Sequence, residues 1–276
     1  MKRTLTAITA AVMLLTAVSC GEKKTDSPLT EDTAAATEAA AESSSENTTE
    51  EETVDYGDSE FKEKIRERTK DQIEDCIGFT ELPVPDFDNI PDDWQEISYN
   101  NISLRVPQDI MEVNSDDVYF QKAYADESGD RAVRFLGGLT YDEGFISNMY
   151  FPEITADVVK KTFEILGVEY DGTIGSSLRA LLAVTEDTRT DSNASAFEIA
   201  SILKADAFGS YKEVRYKNVN GYDVFFKKGS YSEDEDGFVY FIIDIYDRNN
   251  VEYLLSISGK SLEEALMMCS TLKIEK

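Results

Sequence analysis

Ser201-Ile-Leu-Lys204 puts a hydroxyl and an amine one helical turn apart. A lysine so placed can take the proton of a serine and turn it into a nucleophile. Ser232-Glu-Asp-Glu-Asp-Gly237 offers a different chemistry. Ser232, Asp234 and Asp236 would be alternate oxygen ligands ahead of a glycine turn, as in a calcium-binding loop. Position twelve of such a loop needs a bidentate Glu, and here it is Ile243. The stretch therefore reads as a solvated acidic hairpin loop. The three cysteines, Cys20, Cys76 and Cys269, lack metal-ligand spacing. With 55 Asp and Glu, close carboxylate pairs arise from composition alone. Glycosidase chemistry needs two of them at a fixed separation across a cleft. There is no histidine. That removes Ser-His-Asp and Cys-His hydrolases, His-ligated zinc and imidazole general bases. No catalytic, cofactor-binding or metal-binding residue is assigned.

Cys20 is the residue with a definite expected role, because of what precedes it. Lys2 and Arg3 open the chain, and Leu5 to Val18 is an uncharged, mostly apolar run. Ala17, Val18 and Ser19 are small residues leading into the cysteine. This order predicts a secretory signal over 1–19. The run is short for a membrane span, which takes about 20 apolar residues. Ala17-Val-Ser-Cys20 resembles the lipobox of bacterial lipoproteins, with Ala17 where that family prefers Leu. The resemblance implies cleavage before Cys20 and a diacylglycerol on its thiol. Two or three acyl chains would anchor the protein stably, whereas one binds only marginally.

The rest of the composition agrees with an exported protein. The chain has 276 residues and a formal charge of −28, and loss of residues 1–19, with Lys2 and Arg3, takes it to −30. Such an excess repels nucleic acid phosphates and anionic headgroups. Nucleic acid is excluded as a partner, and the membrane is expected to be reached through lipid on Cys20. Cys76 and Cys269 would then be left as a disulfide or as two buried thiols; an exported location permits the bond.

Residues 20–55 are rich in Ala, Ser, Thr and Glu, with no aromatic before Tyr56. They cannot bury enough apolar surface to offset their ordering entropy. The expectation is a disordered acidic stalk with a coil-like reach of about 35 Å. Over 56–78, Phe61, Ile65, Ile73, Cys76 and Ile77 outline an amphipathic helix capped by Asp58 or Ser59 and ended by Gly78. Its apolar stripe favours packing on the main body over a partner helix or the exposed end of the tether. Pro83, Pro85 and Pro91 mark an irregular link.

The globular domain is expected over 92–276. Trp94–Tyr99 and Ile102–Val106 alternate around Asn100-Asn101, a hairpin signal. Val118–Ala125 and Arg131–Tyr141 form a second pair, with Gly137-Gly138 marking a bulge or a close backbone approach. Thr155 caps a helix to Leu166 that Gly167 stops, and Ile174–Val184 is a second helix. Ser195-Ala-Phe-Glu198 reads as a capping box for a third, reaching about Ala207. Glu186–Asn193 reads as a polar loop. Strands follow at Tyr211–Lys217, Tyr222–Gly229, Phe238–Tyr246 and Val251–Ser258. Phe238–Tyr246 is apolar on both faces, as a central covered strand would be. Ser261-Leu-Glu-Glu264 caps a last helix, and Leu272–Glu275 is a final strand closing the sheet. The sum is α+β: an antiparallel sheet built from hairpins, with helices on both faces.

Asp93-Trp94, Ile102-Ser-Leu-Arg-Val-Pro107 and the ending Tyr253-Leu-Leu-Ser-Ile-Ser-Gly259, Ser270-Thr-Leu-Lys-Ile274 resemble the opening hairpin and the closing elements of PsbP-like domains. The resemblance implies an α/β/α sandwich over about 92–276 and a non-enzymatic binding or assembly module. It transfers no functional residue. Ser201-x-x-Lys204 also resembles the first motif of penicillin-interacting enzymes, but neither the Ser-x-Asn nor the Lys-Thr-Gly element follows it. Tyr99, Tyr119, Tyr141, Tyr150 and Phe151 are candidates for a carbohydrate or peptide surface, or for core packing. The expected function is an extracytoplasmic lipoprotein, not an enzyme, that meets a surface protein or glycan. The alternatives are an envelope hydrolase using carboxylates and a solute-binding lipoprotein. The latter is weakened by the single domain, since hinge-closing receptors use two lobes.

Overall fold

The structure, a computed structural model, describes residues 54–55, 57–64, 66–67, 80–81, 87, 89–114, 120–140, 154–209, 211, 213–230 and 239–276. The chain divides into two units, Met1–Asn47 and Thr48–Lys276, and every described residue belongs to the second. The expected signal, Cys20, residues 20–53 of the expected stalk, Cys76, Tyr119, Tyr141, Tyr150, Phe151 and Ser232–Gly237 lie outside the described residues.

Eleven strands, four α-helices and two single-turn 3-10 helices, Glu186–Thr188 and Asp191–Asn193 within the expected polar loop, are named among the described residues. The strands are β1 (Thr80–Glu81), β2 (Gln95–Tyr99), β3 (Ile102–Val106), β4 (Met111–Val113), β5 (Lys122–Ala125) and β6 (Ala132–Thr140), then β7 (Glu213–Val219), β8 (Tyr222–Ser230), β9 (Val239–Tyr246), β10 (Val251–Ser258) and β11 (Lys273–Ile274). The helices are α1 (Ala156–Leu166), α2 (Ile174–Ala183), α3 (Ala194–Phe208) and α4 (Leu262–Ser270). The fold is α+β. One eight-stranded sheet runs β1-β7-β8-β9-β10-β6-β5-β4, and a three-stranded sheet runs β11-β3-β2. All pairings are antiparallel except the short β1–β7 pair.

Period two divides the large sheet into two faces. Phe225, Val214 and Tyr246 point to a core shared with α1, α2 and α3. Val224, Phe226, Phe241, Ile243, Ile245, Leu255 and Ile257 point the other way, to a core shared with α4 and the small sheet. Helices thus lie on both faces, and β9 is a central strand covered on both. The expected closing strand does not close the large sheet. β11 pairs with β3 instead, placing Ile274 opposite Ile102. The Glu213–Val214 end of β7 is occupied by β1, so the body reaches upstream of Asp92.

Turn chemistry explains the hairpins. Asn100 (φ 52°) turns β2 into β3, and Asn220 (φ 54°) with Gly221 (φ 93°) turns β7 into β8. Short polar side chains and glycine tolerate this left-handed conformation. Gly137 and Gly138 do both things expected of them. Gly138 (φ 80°) sits where the β6–β10 register shifts. A Cβ on Gly137 would come 2.8 Å from the Tyr253 ring.

α1 starts on the Thr155 hydroxyl, which accepts from Val158 N, and ends on Gly167 in the left-handed region. α3 differs from its expected start. Its N-cap is Asn193, and Ser195 lies inside the first turn, with its hydroxyl bridging Val54 N and O. Glu198 does not close a capping box; it takes both nitrogens of the Arg66 fork. The residues upstream therefore dock on α3. Residues 59–64 and 66–67 are helical, Asp58 caps them through Phe61 N (2.8 Å), and Phe61 packs against the helical core. Val54 is buried in that core. At α4 the box is half kept: Ser261 accepts from Glu264 N, while Glu264 accepts from Lys260 N.

Candidate functional site

The Ser201–Lys204 pair does not form a nucleophile and base. Ser201 donates to the carbonyl of Phe197 one turn back (2.7 Å). Lys204, only 1% exposed, extends to the carbonyl of Val184, the cap residue ending α2 (2.6 Å). A cation there satisfies an orphan carbonyl and faces the negative end of the α2 dipole. Ile243, the would-be twelfth calcium position, is a β9 core residue with no ligand to offer. Tyr99 packs against Phe135 at 5.8 Å and hydrogen bonds Gln121, so it serves core and sheet rather than a free aromatic surface. Cys269 is a free thiol buried in the α4 core. Burial pushes its pKa up, so it stays a protonated, inert thiol.

The structure instead gathers polar side chains on the helix-facing side of β8, β9 and β10. Lys227 is 9% exposed, Asp244 3% and Glu252 7%. Lys227 and Asp244 form an ion pair across neighbouring strands. The Lys227 ammonium also lies 5.7 Å from the Phe208 ring and 5.2 Å from the Tyr211 ring. Tyr246, two residues along β9, donates its hydroxyl to Glu252 at 2.7 Å. Glu252 stands opposite Tyr246, and Leu254 stands opposite Asp244. Ser256 continues the same buried row. The sequence reading missed these groups. Asp244 was visible as the one charge inside an otherwise apolar strand.

A second polar group ties β7 and β8 to α2. Tyr216 donates to Asp223 (2.7 Å), and Arg179 reaches both Tyr216 (3.4 Å) and Asp223 (3.5 Å). Burial, with the Asp223 carboxylate beside it, raises the Tyr216 pKa, so its proton stays available to donate. The Arg179 pKa is raised first by its bond to Tyr216. Two N–H groups of the first α2 turn are capped by side chains: Asn250 accepts from Ile174 N (2.9 Å) and Thr173 from Ser176 N (3.2 Å). Gly175 makes room for this latch, because a Cβ there would sit 2.8 Å from Asp223 Cβ. Alanine gains about 1 kcal/mol of helix propensity, and overpacking costs about 1–3 kcal/mol. Asp223 Cβ is fixed to its strand and cannot swing away. Gly175→Ala is therefore expected to lower stability by about 1 kcal/mol net, read by urea unfolding. A gain in stability would show that β8 yields freely at this point.

Three carboxylates converge on Arg131, which is buried at the end of β6. They are Asp126 at 3.1 Å, Glu264 at 3.5 Å and Asp109. They come from the β5–β6 turn, α4 and the β3–β4 turn. Among the described residues no His, Cys, Asp or Glu group fit to hold a metal ion occurs. Among them too, no helix is long and apolar enough to cross a membrane.

No known protein family and no curated protein matches this sequence. A solved structure from Bacteroides thetaiotaomicron is similar at a TM-score of 0.32 and 12% identity, over 64% of this chain and 46% of that one. The chain thus spans less than half the length of that protein, and a likeness at this level carries no argument about fold or function.

Proposed function

We propose that this chain is an extracytoplasmic lipoprotein, anchored through lipid on Cys20, whose folded body is a non-enzymatic binding or envelope-assembly module. The observation that carries the reading is the leader: Lys2-Arg3, the Leu5–Val18 run and Ala17-Val-Ser-Cys20, in that order. The low-complexity residues 20–55 supply a solvated spacer between anchor and body. The charge of the processed chain keeps it off anionic lipid and nucleic acid, so a surface protein or a glycan is the partner. The body is read as PsbP-like on the two stretches that carry that resemblance.

Replacing Cys20 with Ala tests the anchor. The native protein is expected in the membrane fraction with a diacylglycerol mass on its N-terminal peptide. The variant is expected in the medium or the soluble fraction, without lipid. A native protein that is soluble and unmodified would end the anchoring proposal. Turnover of an envelope polymer by the purified protein would end the non-enzymatic one.

A further inference from the structure

We propose that Lys227 and Asp244 form an intramolecular amide that covalently joins β8 to β9. The placement comes first. The two side chains share one face of adjacent antiparallel strands, with Lys227 opposite Ile242 and Asp244 two residues further on. Diagonal neighbours of this kind are within reach of a long side chain. They meet as an ion pair in a site where both are almost wholly removed from water.

The second observation is how little else holds the two charges. Among the described residues Asp244 meets Lys227 alone, and the Lys227 ammonium adds only the faces of Phe208 and Tyr211. Buried ion pairs are tolerated when further hydrogen bonds satisfy their remaining protons and lone pairs, and among the described residues the pair has none. The contrast with Lys204, seated on a helix-end carbonyl, and with Arg131, surrounded by three carboxylates, is direct. An amide removes the problem, because it carries no charge and presents one N–H and one carbonyl.

The chemistry balances without a cofactor. Moving one proton from the ammonium to the carboxylate leaves a neutral amine facing a neutral acid. The Nζ lone pair attacks Cγ of Asp244 and an N–C bond forms. One C–O bond then breaks, and the hydroxyl leaves with a proton from the nitrogen as water. Nothing is oxidised or reduced. Glu252, on the same face of β10 and diagonal to Asp244, is the carboxyl placed to relay that proton. Its neighbour Tyr246 already binds it through a hydroxyl.

The test is peptide mapping of the full chain, denatured and reduced. The expected result is a branched peptide joining Lys227 to Asp244, lighter than its two linear parts together by one water, with no tryptic cleavage after Lys227. Lys227→Arg and Asp244→Ala are each expected to abolish it. Recovery of the linear peptides at full mass from the native protein would overturn the proposal, whether or not the variants fold. Linkage to the native extent in Glu252→Gln would overturn the relay assigned to Glu252.

Discussion

Phe225→Ala is expected to lower the unfolding free energy by about 3–5 kcal/mol, the cost of deleting a large buried ring with partial relaxation around the hole. Phe225 is fully buried on the helix-facing side of β8. Its ring centroid lies 5.4 Å from Tyr216, 6.2 Å from Tyr246 and 6.4 Å from Phe208. Those neighbours belong to β7, β9 and α3, so one ring touches the strand on each side and the helix above. Aromatic pairs of this geometry add about 0.5–1.5 kcal/mol beyond area burial. The cavity would also loosen Tyr246, whose hydroxyl is held on Glu252. Phe225→Leu keeps most of the volume and should cost about 1.5 kcal/mol. Urea unfolding at neutral pH separates the two, read as a fall in midpoint at constant slope. A loss under about 1 kcal/mol for the alanine variant would mean that α3 does not rest on β8 through this ring.

The legible parts of this fold are those decided by a few neighbouring residues. Asn100, Asn220-Gly221 and Asn250 mark the hairpin turns because few residues accept positive φ. Thr155 and Gly167 frame α1 because each satisfies backbone groups of its own helix. The failures share another cause. Ser195 and Glu198 have the spacing of a capping box, yet Val54 and Arg66 claim their side chains from more than a hundred residues away. β11 pairs with β3 and not with the large sheet because its partner is chosen by how α4 returns the chain, a non-local matter. The buried polar row was hidden for a related reason. A charge in an alternating strand reads as solvent-facing, and only the helical layer above the sheet makes Lys227, Asp244 and Glu252 internal. Yet a β9 covered on both faces, as its apolar pattern implies, leaves Asp244 no solvent side.

Arg131→Ala is expected to cost about 3 kcal/mol, the usual consequence of removing one partner from a buried charged cluster. The guanidinium side chain is 6% exposed, as is that of its strongest partner by burial, Asp126, whereas Asp109 is 61% exposed. Most of the loss therefore arises at Asp126, with a minor share at Asp109, where solvent screens the charge. Arg131→Lys keeps the charge but cannot serve three carboxylates from one fork, so it should recover about half of the loss. The same cluster sets an acid limit. Burial works to raise the Asp126 pKa, but hydrogen bonds from Ser128, Arg131 and Gly129 together outweigh it and hold the carboxyl below its usual value. Asp171, bonded to Ser176 and Thr173 against the same burial effect, is lowered too. A depressed carboxyl stabilises the folded state above its unfolded pKa, about 3.9. That contribution is lost as pH falls through the lower folded value. Native stability should therefore be flat from neutral pH to about 5 and fall below about 4 as these groups take up protons. In Arg131→Ala the protein should start lower at neutral pH and fall less steeply in acid, because Asp126 has lost one of the bonds that depress it, while the share from Asp171 persists. Urea midpoints for both proteins between pH 7 and pH 3 read this directly, as a gap that narrows in acid. A constant gap across the range would mean that Arg131 acts by packing its side chain between β6 and α4, and not through the charge of Asp126.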